Sequence, residues 1–537
     1  MASSRRVSAE ANGSLSVSNQ DNGTTLPDSY PSFFQKYTSR RWSIGYMMVL
    51  AFVLVQSLEN CMSFALVCMT REITQEPDFN HTVITSQETY PNIWNTTMSS
   101  NMSSNGGKTI PGEFSYTSEM QGLFISSPFY AGIISPIFGS LASRRFGPKR
   151  VIFFCMLLGG TMEILVPLSA RTKDYLVVIC RIIMGFALNM ILPASLDIWL
   201  YWSPAREKAQ MVTYSFAGFN MANIVTFLIC GFLCVIPIDN GWPFIFYVFG
   251  GCAVIWCLAW LAIVYDKPEL QPSISHEEKS YIFQHRTNVD NDRKDSHIPW
   301  KSMVSSVPVW AYWAVMFFHA WNSSVLFSYL PTYMATVLNF DVEQNGALSS
   351  LPYVTRVMGT VGWSIISIQL MKVISMTHTR KLIQTIGYTV SAALTIGLCF
   401  LEDGQEYIAV AMFALTTPFT AAAVSAAIVS PVDLAPQYAS VMTSAGIAFS
   451  QMAMSTAPVV VSYIIPEKTR DQWASVFYMN AAVYFIGALT YLIFGSGEIQ
   501  PWADNSVEKN DVEAPRSRKQ SEVNAGYIND ADEMSKM

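Results

Sequence analysis

Apolar stretches of about twenty residues, the length of helix that crosses a bilayer core, recur twelve times along the chain. They begin near Trp42, Met120, Val151, Tyr175, Met211, Trp242, Val309, Ala347, Leu382, Tyr407, Val441 and Trp473. Several contain Gly, Pro and Ser, which membrane helices tolerate where neighbours or a cavity satisfy the freed backbone groups. The polar interruptions are the first forty residues or so, the segment Arg71 to Thr117, the segment Tyr265 to Val307 and the tail after Ala503. Six spans, a long polar connection and six more spans make the layout of two repeated halves with a substrate site between them near the midplane. The pattern predicts an all-α membrane protein: an N-terminal six-helix half over 42–264, a linker over 265–308 and a C-terminal six-helix half over 309–496. The segments 1–41 and 497–537 read as disordered termini, and the first forty residues carry no signal-peptide core.

Composition agrees. With 51% hydrophobic and 13% charged residues in 537, the chain is too apolar for a soluble protein of this size, and its expected surroundings are the lipid bilayer, with no nucleic-acid partner. Threading the spans with both termini on one side puts twenty-five of the thirty-three Lys and Arg residues on the side of the termini and the linker. The positive-inside rule assigns that side to the cytosol, leaving plasma membrane and lysosomal or vesicular membrane both open. The segment 71–117 then faces outward, and its triplets at Asn80, Asn95 and Asn101 are expected to be glycosylated. All nine cysteines lie in predicted spans, so they read as apolar packing residues with no disulfide.

Charges inside the spans carry the candidate chemistry. Arg181 sits in the stretch Tyr175 to Trp202, followed by Gly185, Asn189 and Pro193. A guanidinium stays charged, and a charge at membrane depth faces a partner, a water-filled cavity or a substrate path. It points to a negatively charged cargo; the competing reading is a structural arginine that caps carbonyls or pairs with an acid. Arg356 shares one helical face with Ser349, Tyr353 and Thr360, and Glu59 one with Gln56, Asn60 and Ser63. Glu163 reads as lying near a membrane interface.

Ordered strings then carry a family likeness. Gly241-Trp242-Pro243, Phe246 to Gly250, Val264-Tyr265-Asp266, Pro299-Trp300-Lys301, Leu330 to Met334, Leu348 to Tyr353, Asp433 to Pro436 and Gly497 to Ala503 follow one another at matching spans. Together they resemble the anion-transporter family that contains sialin, the vesicular glutamate transporters and the sodium/phosphate cotransporters, over about residues 42 to 503. The resemblance implies the major facilitator fold and secondary transport of a small organic or inorganic anion by alternating access. It also implies that Arg181 is the anion-binding arginine of the fourth span.

Other positions depart from the family pattern. The two fourth-span glutamates expected after the arginine fall on Met184 and Leu188, the first-span arginine on Glu59, and a seventh-span arginine on His319. Arg356 is a gain. Either Glu59 and Arg356 form an exchanged charge pair, or Arg356 is a second anion-binding cation and Glu59 carries the coupling proton. His319, Tyr353 and Asn322 are further candidate binding residues, with Ser444, Gln451 and Ser455 on the eleventh span as cavity or packing residues. Arg144, Arg145, Lys149 and Arg150, with Glu207, read as a cytosolic gate or as positive-inside anchoring. No metal, cofactor or enzymatic motif is expected; co-transported H+ or Na+ and a monomeric state are. The alternative function is a non-transporting receptor or scaffold on the same fold.

Overall fold

The computed structural model describes residues 33–70, 113–286, 299–427 and 429–503. Its long helices start within a few residues of the apolar stretches. Span 1 is Arg40–Met69, span 2 Ser118–Gly132 with Ser135–Phe146, span 3 Pro148–Thr172, span 4 Asp174–Asn189 with Ile191–Trp202, span 5 Ala205–Cys234 and span 6 Trp242–Ile263. In the second half, span 7 is Val307–Thr336, span 8 Val342–Leu370, span 9 Met376–Gly397, span 10 Glu406–Ala427, span 11 Ala439–Ile464 and span 12 Arg470–Phe494. Among the described residues nine helices are long and apolar enough to cross a membrane, and the two pieces of span 2, bent by 45°, make a tenth. Spans 7 and 8, at 30 and 29 residues, have the length but fall short in apolarity. They are the spans that carry His319, Asn322 and Arg356, so the weakest hydropathy falls where polar chemistry is concentrated.

Prolines set the two breaks. A proline ring removes an amide donor and clashes with the carbonyl four residues earlier. Pro136 stands four after Gly132, where the first piece of span 2 stops, and Pro193 stands four after Asn189, where the first piece of span 4 stops. Elsewhere the starts are set by local chemistry: Thr117 accepts a hydrogen bond from the Met120 amide, and spans 3, 6 and 7 each carry proline in the first turn.

The connection between spans 1 and 2 defines a loop face; the linker and both ends of the described bundle lie on the opposite, linker face. The halves meet through span 1 against 7, span 2 against 11 and span 5 against 8. Toward the loop face these contacts are tight. A Cβ added at Gly122 would lie 2.6 Å from Ser462 Oγ, and one at Gly346 would lie 2.8 Å from Gly231 Cα. Gln121 Oε1 accepts from Lys468 Nζ at 3.0 Å, and Ser118 Oγ donates to the Ile465 and Pro466 carbonyls across the same seam. Toward the linker face the halves diverge: the second piece of span 2 packs against spans 3 and 4 of its own half, with Ile134, Ile137, Phe138 and Leu141 exposed. The bundle is closed on the loop face.

The linker helix His276–His285 belongs to the N-terminal half. Glu278 accepts hydrogen bonds from the Arg40 and Arg41 amides at 3.1 and 3.0 Å, donors that the first turn of span 1 leaves without helical partners. Arg41 also meets Glu207 at 3.0 Å and stacks over Tyr281. On the loop face Arg171 binds Glu113 at 3.0 Å and Asp239 at 2.6 Å, and Trp242 Nε1 donates to Glu113. The hydrogen bond from Arg171 holds the Glu113 carboxyl below its ordinary value of 4.5, assisted by that from Trp242. Arg171 likewise lowers Asp239.

The expectation that no disulfide forms is overturned, because Cys68 and Cys234 are bonded with their Cα atoms 6.2 Å apart. Both cysteines end their helices on the loop face. Spans 1 and 5 are held in register by Asn60 to Asn223 at 2.6 Å and Thr226 to Ser57 at 2.7 Å, which brings the two last turns together. Sequence position inside an apolar stretch hides that the thiols sit at its end. The sequons at Asn80, Asn95 and Asn101 lie outside the described residues.

Candidate functional site: buried charges in the two halves

In the N-terminal half Arg181 bonds to the protein through two of its three guanidinium nitrogens, and Nη1, though it faces an acid, is buried without a hydrogen-bond partner. Its Nε donates to the Phe124 carbonyl at 2.9 Å and its Nη2 to the Glu59 carbonyl at 2.7 Å, while Nη1 lies 3.8 Å from Glu163 Oε2. The Arg181 and Glu163 side chains are both fully buried, and the Cys61 thiol donates to the other Glu163 oxygen at 2.8 Å. This is the geometry of the structural reading of Arg181: a tie between spans 1, 2, 3 and 4. Glu163 is not near an interface as its sequence position suggested. Its side chain turns into the half, where the Arg181 guanidinium of span 4 compensates its charge.

Glu59 turns its carboxylate toward span 4. Asn189 Nδ2 donates to Glu59 Oε1 at 3.1 Å and also to the Gly185 carbonyl, while Asn189 Oδ1 accepts from Gln451 Nε2 of span 11 at 2.5 Å. Among the described residues Glu59 and Arg356 form no ion pair; the exchanged-pair alternative fails because the two side chains are directed into different halves.

In the C-terminal half Arg356 is half-buried, and its Nη2 lies 3.2 Å from His319 Nε2. Tyr353, Tyr388 and Tyr484 stand within electrostatic reach of the guanidinium. Tyr353, 2% exposed, also touches Phe227 of the other half with ring centroids 5.5 Å apart, so Arg356 lies one turn beyond a cross-half contact. As Nε2 of a neutral His319 accepts from Arg356, its proton sits on Nδ1. That Nδ1 and the Tyr353 hydroxyl are buried without a hydrogen-bond partner. Asn322 donates to the Phe318 carbonyl at 3.0 Å and leaves its own Oδ1 unpaired.

No aspartate or glutamate occurs between residues 307 and 336 or between 344 and 401. A guanidinium, an imidazole N–H and a phenol O–H therefore converge without a protein acid to receive them. Buried donors left unmatched are costly, and an anion is the complement that satisfies all three.

The proposed gate residues do not come together. Arg144, Arg145 and Arg150 are exposed and form no ion pair among the described residues. Lys149 is held within its own half, its amide by Asp266 at 2.7 Å and its Nζ by the Leu261 carbonyl at 3.0 Å. Glu207 faces Arg41 and Lys36 instead of the basic cluster. Ser349 bonds Asn345 and is buried in packing. Sequence reasoning did not connect Glu163 to Arg181 or Asn189 to Gln451. For the second contact one signal was available: the proline four residues after Asn189.

The described residues hold no cluster of three or more potential metal ligands. Two bundles of spans that meet on one face and part on the other, with buried charge at their junction, define a carrier-type membrane protein. Solved structures share the architecture. A bacterial homologue of the human lysosomal transporter Spinster superposes with a TM-score of 0.61 at 13% identity, covering 83% of this chain and 98% of that one. The xylose transporter XylE from E. coli gives 0.59 at 13% identity, covering 84% and 96%.

Curated relatives cover 73% to 92% of the chain. An uncharacterized transporter, slc-17.2, of Caenorhabditis elegans is 28% identical over 92% of this chain and 97% of its own length. Sodium-dependent phosphate transport protein 3 of Mus musculus is 30% identical over 73% and 81%, and human sialin is 27% identical over 87% and 91%. Residues 92–458 match the Major Facilitator Superfamily profile. The chain belongs to the Major Facilitator Superfamily, in the family that includes sialin, the vesicular glutamate transporters and the sodium-dependent phosphate transporters.

Proposed function

We propose that this transporter carries a small organic or inorganic anion held between its halves against Arg356, with His319, Tyr353 and Asn322 as companions and Arg181 as a structural tie. One observation carries the assignment: Arg356 is the intramembrane cation whose own half offers no acid at its depth, whereas Arg181 already has two carbonyls and Glu163. With the linker face in the cytosol, closure on the loop face makes this an inward-open state. Glu59 is the coupling carboxylate in this reading, with H+ as the ion it takes and Na+ as the competing choice. The names of relatives that carry phosphate, urate and glutamate support the substrate class.

The test is uptake into proteoliposomes of radiolabelled phosphate, sialate, glutamate, urate and nucleotide at two pH values, with and without sodium. Flux of at least one anion, lost in Arg356→Gln and partly kept in Arg356→Lys, is expected. Absence of flux across the panel with ligand binding intact would convert the reading to a receptor.

A further inference from the structure

We infer that Asn189 and Gln451 form a cross-half switch that reads the charge on Glu59, acting as positioning residues for the movement of the halves; this rests on the carrier reading above. The contact lies at the junction of two breaks. Span 4 stops at Asn189 because of Pro193, and span 2 stops at Gly132 because of Pro136. Gln451 is wedged against Gly132 itself, where an added Cβ would lie 2.9 Å from Gln451 Cδ and 3.0 Å from Nε2. Three groups from three spans thus form one directional chain: Gln451 donates to Asn189 Oδ1, and Asn189 Nδ2 donates to Glu59 Oε1. The other cross-half side-chain hydrogen bonds described above, those of Ser118 and Lys468, lie at the loop face.

The direction of that chain depends on the carboxylate. Ionised, Glu59 only accepts, so Asn189 must turn its NH2 to span 1 and its oxygen to Gln451. Protonated, Glu59 loses the charge that strengthens the Asn189 bond and gains an O–H donor beside its remaining carbonyl acceptor. A proton on Oε1 turns the Asn189 oxygen to span 1 and its NH2 to the NH2 of Gln451, and the cross-half bond becomes donor against donor. Gln451 Oε1 has no partner here, but bringing it round requires the amide to turn where Gly132 confines it.

Among the titratable groups around it, Glu59 is the one bonded to the cross-half chain. Arg181 from span 4 reaches the Glu59 carbonyl, Glu163 from span 3 sits behind that guanidinium, and Cys61 is on Glu59's own span with Cys230 on span 5. Span 2 carries charges only at its ends, Glu119 on the loop side and Arg144 and Arg145 on the linker side, span 5 only at its linker end in Arg206, Glu207 and Lys208, and span 6 has no Asp, Glu, Lys, Arg or His. His319 of span 7 is engaged with Arg356. Protonation of Glu59 therefore weakens the tie between spans 4 and 11 and releases the closed loop face.

The test needs no knowledge of the cargo. Ser462, 1% exposed in the loop-face seam where Gly122 meets it, is replaced as Ser462→Cys in the full chain and labelled in proteoliposomes with a membrane-impermeant maleimide. The labelling rate is expected to rise about tenfold as pH falls, the ratio set by losing one charge-assisted hydrogen bond. Glu59→Gln and Gln451→Leu should each flatten that profile, and the double variant should look like Glu59→Gln alone. A Gln451→Leu profile that keeps its inflection while shifting equally at every pH would reduce the contact to packing and overturn the switch, as would a flat profile in the unaltered chain. Absence of anion flux alongside a pH-sensitive label would sink the carrier reading, whereas a flat label profile alongside anion flux would sink the switch alone.

Discussion

The two halves each carry one intramembrane arginine, and they treat it in opposite ways. Arg181 is fully buried, donates to two carbonyls on different spans and faces Glu163. Arg356 is half-buried, leans on a histidine and is shelled by tyrosines, with no carboxylate at its depth. The difference follows from cost. A charge taken out of water must be compensated, and where the protein supplies the compensation the residue is architecture. Where it does not, the charge persists only because something else visits it. The presence of a buried arginine therefore says less than the whereabouts of its acid.

The largest effect should come from breaking the satisfied side. Arg181→Gln strands Glu163 as a buried acid without its cation, an expected loss of about 3 to 5 kcal/mol, enough to abolish a monodisperse peak in size-exclusion chromatography. Adding Glu163→Gln should restore much of the peak, since removing both charges spares the uncompensated one; failure of that rescue would mean Arg181 matters for more than its acid. Arg356→Gln should do the reverse, leaving the melting temperature within a few degrees while anion flux falls about a hundredfold, the scale of roughly 3 kcal/mol of lost charge-assisted binding. If instead Arg356→Gln unfolds and Arg181→Gln merely slows transport, the assignment of roles is inverted.

Smaller effects sharpen the contrast by probing parts of the first half remote from either arginine. Cys68→Ser opens a link spanning 166 residues of sequence and should cost about 2 to 4 kcal/mol, read as a lower melting temperature with flux unchanged. The smallest effect belongs to the strap held by Arg171. Glu113 and Asp239 have carboxyls held below their ordinary values, so their contribution is complete above the unfolded value and is lost as pH falls through the lower, folded one. Hydrogen exchange of residues 113–117 should therefore stay slow at neutral pH and quicken below about pH 4. Glu113→Gln should show the fast behaviour at every pH.

Much of this was legible in the chain. Window length and hydropathy placed all the spans because a helix must cover a fixed thickness with residues that avoid water, and each start falls within a few residues of its helix. Spans 5 and 9 are the most displaced, Ala205 against Met211 and Met376 against Leu382, since Arg206, Glu207 and Lys208 in the one and His378, Arg380 and Lys381 in the other mask the beginnings of their helices. The repeat of six spans, linker and six spans gave the halves. The ordered strings from Gly241 to Ala503 gave the family. Residue types alone marked Arg181, Glu59 and Arg356 as the costly positions, because cost depends on the residue and its depth.

Partnership was not legible, and for a physical reason. Whether Arg181 meets a cargo or Glu163 depends on how spans 3 and 4 rotate against each other, and that angle is set by packing across the entire half. Likewise Cys68 finds Cys234 because spans 1 and 5 settle in one register, and Gln451 finds Asn189 because span 11 packs against the ends that prolines leave in spans 2 and 4. The sequence by itself determined the fold, the family and which residues were expensive. Only the tertiary structure decided which of those charges the protein answers and which it leaves open, because compensation is a matter of distance, and distances between spans are fixed by the packed bundle as a whole.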